Sequence, residues 1–183
     1  IFTTTEFLDA TLSLYDFGPE PMQDLCYDVT IREGDEVFCH IKTRKPMLHI
    51  PLSGLDHSAQ LDVTVAVGTY SNSWRIFVFA DAPASELPMV HSPAELDEIC
   101  RIGGCALVPR ELFPEQIPCH FIPVFWSPVF FPSKASCGVM INAAHPALQG
   151  FPTGAYADYQ WKDLLENAVA FCIPKNDKTV QPI

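Results

Sequence analysis

Positive charge is scarce in this sequence. Its 183 residues include 11 lysines and arginines against 22 aspartates and glutamates, and the formal net charge is −11. Binding to nucleic acid or to an anionic membrane surface needs clustered basic side chains, whereas the longest cluster here is the short stretch Lys42–Lys45. Nucleic acid and membranes are therefore not expected as partners.

Long apolar runs and familiar catalytic motifs are missing as well. No segment approaches the roughly 18 apolar residues of a membrane span. The sequence contains no GxGxxG, P-loop, GxSxG or HExxH motif. The adjacent pairs Cys39–His40 and Cys119–His120 lack the spacing of zinc ligands. Neither a metal nor another cofactor is predicted.

The seven cysteines do not suggest a disulfide framework. Their number is odd and their spacing irregular, and most stand in apolar runs, where a free cysteine behaves as a small hydrophobic side chain. This usage favours a reducing, cytoplasmic compartment over secretion. A cysteine nucleophile is not expected, because Cys105 begins a predicted strand and Cys137 precedes one, so neither stands at a strand-to-helix elbow.

What the sequence does contain is enough apolar material for a core. Hydrophobic residues make up 48% of the chain and charged residues 18%, as in folded globular proteins. The sequence begins at Ile1 inside strand-like sequence and stops at Ile183 without a polar tail. We expect it to be a fragment of a longer protein.

Residues 1–81 predict an immunoglobulin-like β-sandwich. Apolar and polar side chains alternate in about six short runs, of which Tyr27–Ile31 is typical. The sequence REGDE, Arg32–Glu36, predicts a hairpin turn, and SNS, Ser71–Ser73, predicts a second turn.

No catalytic residue is predicted among the other features of this first half. The alternation places Ala10, Leu12 and Leu14 on one face of a predicted strand. The neighbours Asp56 and His57 fall in a predicted turn. They are interpreted as turn residues and not as a catalytic or metal-binding pair.

Residues 82–88 predict a linker, and residues 89–183 predict a small, incomplete α/β domain of the flavodoxin or class I amidotransferase type. Its first helix is expected to begin after Ser92, which can cap it. Pro93 suits the first helical position, and Glu95 completes a capping box.

The rest of this half predicts a buried strand and a second helix. The strand is Cys105–Pro109, which follows two glycines that end the first helix. The second helix covers Gln160–Cys172, with Trp161 and Leu164 on its apolar stripe.

Acidic residues near the second helix are the candidates for glycosidase chemistry. A glycosidase needs two carboxylates about 5 to 9.5 Å apart across the scissile bond. Asp163 and Glu166 share a face of the predicted helix, but it is the polar face, so solvated charges are the favoured interpretation. Asp158 precedes the helix and is expected to cap it.

Three stretches resemble the C-terminal region of bacterial glycoside hydrolases of family 2, the β-galactosidase and β-glucuronidase-like proteins. They are NSWRIFVF (Asn72–Phe79), PVFWSP (Pro123–Pro128) and HPALQGFPTGAYADYQWKDLLENA (His145–Ala168). Tryptophan or tyrosine is usual in the family at four positions where this chain has Phe77, Phe79, Tyr159 and Lys162.

The resemblance implies accessory domains of a carbohydrate-cleaving enzyme. The family's catalytic carboxylates belong to a TIM barrel, and the sequence has neither room for a barrel nor an Asn-Glu dipeptide of the acid/base type. The expected partner is therefore the catalytic barrel of a parent chain, and the fragment is expected to have no catalytic residue of its own.

Two other functions stay open beside a structural accessory role: a carbohydrate-binding module with exposed aromatic rings and an independent enzyme. The residues singled out for ligand contact are His145, Tyr156, Gln160 and Trp126. His145 precedes a proline at the end of a predicted strand, where α/β sheets place ligands. A histidine that holds the loop through local hydrogen bonds is the alternative.

Overall fold

The computed structural model describes residues 1–19, 22, 24–82, 87–112, 117–118 and 139–170. Regular structure in this part of the chain is mostly β-sheet with few helices. The strands are β1 (Phe2–Thr3), β2 (Phe7–Thr11), β3 (Tyr27–Glu33), β4 (Glu36–Thr43), β5 (Met47–Pro51), β6 (Ala59–Val67), β7 (Tyr70–Phe79), β8 (Ile117–Pro118) and β9 (Val169–Ala170). The helices are α1 (Pro93–Arg101) and α2 (Lys162–Glu166). None of the described helices is long and apolar enough to cross a membrane.

The chain divides into two compact units, and the division does not follow the sequence in a single cut. The first unit combines Ile1–Ala82 with Pro146–Thr153. The second combines Pro83–His145 with Gly154–Ile183. Part of the family-like stretch that begins at His145 therefore belongs to the unit that holds the strands β1 to β7.

Two sheets build the first unit. Five strands form a mixed sheet in the order β1-β7-β6-β3-β4, in which β1 is parallel to β7 and the other pairs are antiparallel. Strands β2 and β5 form a separate antiparallel pair. Both sheets contribute alternate apolar side chains to one buried cluster, whose members include Leu8, Val29, Ile31, Leu48, Ile50, Leu61, Val63 and Val78. The predicted β-rich first half is confirmed, because period-two alternation gives each strand one apolar face to bury.

Of the two turns predicted in this unit, the first is confirmed and the second is wrong. The β3–β4 hairpin turns at Gly34, whose φ of 54° is the left-handed conformation that glycine adopts freely. The turn predicted at Ser71–Ser73 was wrong, because those residues lie inside β7. The chain turns earlier, at Gly68, which has φ 59°.

The predicted strand that contains Ala10, Leu12 and Leu14 is shorter than expected. Strand β2 ends at Thr11, and the Leu12 N–H donates to the carbonyl oxygen of Pro46 at 2.6 Å. The three side chains still share a direction, since each is partly buried against the core.

In the second unit, helix α1 begins as predicted. Ser92 is the N-cap, and its hydroxyl accepts the Glu95 N–H at 3.3 Å. The Glu95 carboxylate accepts the N–H of His91 at 2.8 Å, one residue before the position of a regular capping box. The helix ends before Gly103, which has φ 67°.

Two elements of the second unit differ from the prediction. The expected strand Cys105–Pro109 makes a parallel bridge from Leu107 to Met89, but Leu107 is about half exposed and the pairing extends no further. Helix α2 ends at Glu166 instead of running to Cys172, which lies outside the described residues. Asn167 ends the helix, and its amide donates to the carbonyl oxygen of Asp163 at 2.9 Å.

Candidate functional site

The first unit contains an open groove of about 530 Å³ along strand β7. It exists because the pair β2–β5 has two strands and faces a sheet of five. The inward face of β6 and the first half of β7 form one wall, and Leu12 and Leu14 form part of the other. The groove is therefore the part of the apolar face that the described residues leave uncovered.

Two of the three aromatic side chains that line this groove are exposed, whereas the third, Tyr27, is buried. Tyr70 and Trp74 lie on the inward face of β7, opposite Val67 and Val63 of β6. Side chains on this face would be core in a fully covered sheet, yet Tyr70 is 67% exposed and Trp74 51% exposed. Both rings thus offer a flat surface to a molecule that enters the groove.

The polar groups that the described residues contribute to the groove are uncharged. Asn72 stands between the two rings on the same face of β7, opposite Val65. Its amide oxygen accepts the Ser73 N–H at 2.9 Å, which leaves its NH2 group as a donor. Thr11, Ser13 and Ser71 are also among the residues that line the groove. None of the described lining residues carries a formal charge, although the chain has a net charge of −11.

The residues predicted for ligand contact have unequal surroundings. His145 is half-buried, and its N–H donates to the carbonyl oxygen of Asn142 at 2.8 Å. Tyr156 is 69% exposed and pairs with Met140 in an antiparallel bridge. Gln160 is buried, so a ligand at the surface reaches Tyr156 but not the Gln160 side chain. Trp126 lies outside the described residues.

The aspartate before the second predicted helix is a cap, as expected. The Asp158 carboxylate accepts the Tyr159 N–H at 2.8 Å and begins a 3₁₀ turn over Tyr159–Trp161. Trp161 is buried, in agreement with the prediction, whereas Leu164 was wrongly placed on the buried stripe and is exposed. A tight 3₁₀ turn followed by five helical residues does not keep the 3.6-residue period that the prediction assumed.

The acidic candidates for catalysis are at the surface. Asp163 and Glu166 are both exposed on α2, with the solvated character that the sequence predicts. Exposure keeps carboxylates hydrated, whereas a glycosidase acid needs an environment that raises its pKa. Their surroundings therefore do not favour a catalytic pair.

Among the described residues, His57 forms a polar cluster with two carboxylates. Its ring contacts Asp56 Oδ1 at 2.7 Å through Nδ1 and Glu33 Oε1 at 2.9 Å through Nε2. Hydrogen bonds to these two carboxylates raise the pKa of His57 to about 9, and the same contact lowers the pKa of Asp56. The cluster connects Glu33, at the end of β3, to the loop before β6.

Two other histidines make similar surface contacts. His40 lies 2.6 Å from Asp28, and this hydrogen bond, with that from Lys42, lowers the pKa of the Asp28 carboxyl. His49 lies 2.6 Å from Asp9 and stacks on Phe7. Within the described ranges, no three His, Cys, Asp or Glu side chains are grouped so that they could hold a metal ion.

The four cysteines in the described part of the chain are free thiols, and burial raises the pKa of one of them, Cys39. Cys100 and Cys105 are exposed, in contrast to the buried positions that their apolar sequence surroundings suggest.

The groove is the feature that sequence reasoning missed. Alternation along β7 puts Trp74 on the same strand face as Ile76 and Val78, a pattern typical of a core. A pattern was present: Tyr70, Asn72 and Trp74 alternate aromatic, polar and aromatic side chains on one strand face. Whether these side chains are buried or exposed depends on how many strands cover that face, and the local sequence does not determine that number.

Comparison with known proteins gives one family match. A model described as a domain of unknown function (DUF8487) matches residues 99–183, which is less than half of the chain. The matched region covers the last residues of α1 and everything that follows it. A search of curated proteins finds no match to this chain.

Proposed function

We propose that this chain is a non-catalytic accessory region of a carbohydrate-cleaving enzyme similar to glycoside hydrolases of family 2. The proposal is supported mainly by the structural roles that residues of the family-like stretch have in the fold. Asp158 caps a turn, and Gln160 and Trp161 are buried. These side chains shape the chain between β-structure and α2, and the exposed Asp163 and Glu166 lack the setting of a catalytic pair.

In this proposal the first unit is an immunoglobulin-like sandwich and the second an incomplete α/β domain of the flavodoxin or amidotransferase type. The two facing sheets with one common core support the first assignment. The parallel bridge from Met89 to Leu107, with α1 between them, supports the second. The partner is the catalytic barrel of a parent enzyme.

Hydrolysis assays test the accessory role. The chain is incubated with aryl β-galactosides and aryl β-glucuronides, beside the variants Asp163→Asn and Glu166→Gln. We expect release of the aryl group to equal that of a buffer blank for all three proteins. If the unaltered chain hydrolyses a substrate and either variant abolishes that activity, the chain has a catalytic carboxylate and the proposal is wrong.

A second function, saccharide binding, is favoured by one specific observation. Tyr70 and Trp74 present half-exposed or largely exposed rings in an open groove, with the Asn72 amide between them. Flat aromatic faces and a few positioned polar groups are what a sugar-binding site needs, because apolar faces of a sugar stack on rings while its hydroxyls require partners. We propose the groove, in place of the residues selected from sequence, as the saccharide site.

Isothermal titration with neutral saccharides tests this second function. We expect binding that Trp74→Ala weakens, whereas Tyr15→Ala, which removes an exposed ring outside the groove, leaves it unchanged. Retention of full affinity by Trp74→Ala would place the site elsewhere.

A further inference from the structure

The spacing of the two rings in the groove sets the size of the ligand. Tyr70 and Trp74 are four residues apart on one face of β7. An extended strand advances about 3.3 Å per residue, so their Cα atoms are separated by roughly 13 Å. A single sugar ring is too short to stack on both aromatic rings, whereas a short chain of sugars spans them.

The electrostatics of the groove set the charge of the ligand. The described residues that line it have apolar, hydroxylic, aromatic or amide side chains, and none of these carries a formal charge. The chain as a whole has net charge −11. An acidic glycan would find no cation among the described lining residues and would be repelled by the protein's overall charge. A neutral ligand avoids that repulsion and leaves no charge unpaired.

The groove also has a direction. Both exposed rings belong to one strand, β7, and Asn72 lies midway between them. The neighbouring strand β6 places Val63, Val65 and Val67 opposite these three residues. A chain that lies along β7 therefore meets a ring, an amide donor and a second ring in that order. A ligand that crosses β7 meets one ring and the apolar side chains of β6.

We propose that the groove holds a neutral oligosaccharide chain that lies along β7, with Tyr70 and Trp74 each stacking on a different sugar and Asn72 donating a hydrogen bond between them. This inference rests on the saccharide-binding function proposed above and adds the length, charge and direction of the ligand. The chain contributes binding only, and no bond of the ligand is broken in the groove.

The test is calorimetric titration of the full chain with neutral gluco-, xylo-, manno- and galacto-oligosaccharides, each from monosaccharide to hexasaccharide. Oligogalacturonides of the same lengths provide the acidic comparison. For at least one neutral series, we expect affinity to rise by about tenfold as the ligand becomes long enough to reach both rings, and then to level off. The acidic series is expected to bind more weakly at every length.

Variants locate the two contacts. Tyr70→Ala and Trp74→Ala are each expected to lower hexasaccharide affinity by about tenfold and to remove the dependence on length. Trp74→Phe retains a ring and is expected to restore most of the affinity, which separates lost stacking from lost folding. Tyr15→Ala is the matched control. Thermal melting of each variant verifies that the protein is folded.

The outcomes distinguish failure of this inference from failure of the saccharide-binding function on which it rests. If no saccharide binds, or if an apolar peptide binds at Trp74 in place of every glycan, saccharide binding itself is overturned. If monosaccharide and hexasaccharide bind equally at Trp74, the function stands and the extended chain is wrong. If acidic oligomers bind more tightly than neutral ones, the proposed neutrality is wrong.

Discussion

The ring of Phe79 lies 5.4 Å from the ring of Phe151, with the two planes inclined at 39°. Phe79 is the last residue of β7, and Phe151 belongs to the segment Pro146–Thr153, which joins the same compact unit from far along the sequence. The contact therefore fastens part of the family-like stretch to the two-sheet unit, and it gives Phe151 a structural role.

Phe151→Ala is expected to destabilise the protein. A tilted aromatic pair contributes about 0.5–1.5 kcal/mol beyond the burial of its surface, and the ring is half-buried. A double-mutant cycle with Phe79→Ala, measured by urea denaturation, should give a coupling energy in that range. Gln149→Ala, an exposed change in the same segment, is the control. Additive effects of the two phenylalanine variants would contradict the contact.

Asp158→Ala is expected to lower the free energy of unfolding by about 1 kcal/mol, because it removes the acceptor for the Tyr159 N–H at the start of a turn. Asp158→Asn retains an acceptor and should recover most of the loss. Asp163→Ala removes an exposed carboxylate of α2 and provides the comparison. Urea denaturation monitored by tryptophan fluorescence measures all three, and an Asn variant as unstable as the Ala variant would argue against capping.

Gly68→Ala is expected to cost about 1–2 kcal/mol, the usual penalty for a side chain in the left-handed region. Gly68 has φ 59° at the turn between β6 and β7. Gly154→Ala is the matched control, because Gly154 has no positive φ and its added Cβ would meet no atom within 4 Å. Equal losses in the two variants would show that backbone conformation is not the cause.

His57 is expected to titrate near pH 9 in the folded protein, which an NMR titration of its ring would measure. The folded pKa lies above the unfolded value of about 6.5. The contribution of the cluster to stability is therefore fully present below about pH 6.5 and is lost as pH rises through about 9. The cluster is exposed, so this contribution is small.

Two variants identify the cause of the raised pKa. Glu33→Gln removes the carboxylate at Nε2 and should lower the pKa of His57. Asp35→Asn removes the same charge from the same hairpin without a contact to the ring and should shift it less. A midpoint near 6.5 in the unaltered protein would contradict the hydrogen-bond geometry at both ring nitrogens.

Much of the first unit could be predicted from sequence because its information is local. The alternation in Tyr27–Ile31 places Tyr27, Val29 and Ile31 in the core, where all three are buried. The glycine in REGDE marks a turn that the structure contains at Gly34. The caps at Ser92 and Asp158 were also predictable, since a side-chain oxygen and a nearby N–H suffice to form them.

The candidate site could not be predicted in the same way. The strand face that bears Tyr70 and Trp74 has the pattern of a core, and its exposure follows from the two-stranded sheet opposite it. That arrangement depends on pairing between β2 and β5, which are distant in sequence. The prediction of which side chains of helix α2 are buried was also partly wrong. There the reason is the 3₁₀ turn that precedes the helix, which changes which side chains face inward.

The hydrogen bond from the Ser73 N–H to the Asn72 side chain has a consequence for behaviour at high concentration. A bare strand offers its backbone donors to any other chain and so invites polymerisation into fibrils. Here a side chain occupies one such donor in the first half of β7, Tyr70–Trp74, whereas β1 pairs with β7 at Val78 and Phe79. The Asn72 amide oxygen thus satisfies a backbone donor that could otherwise pair with a second chain.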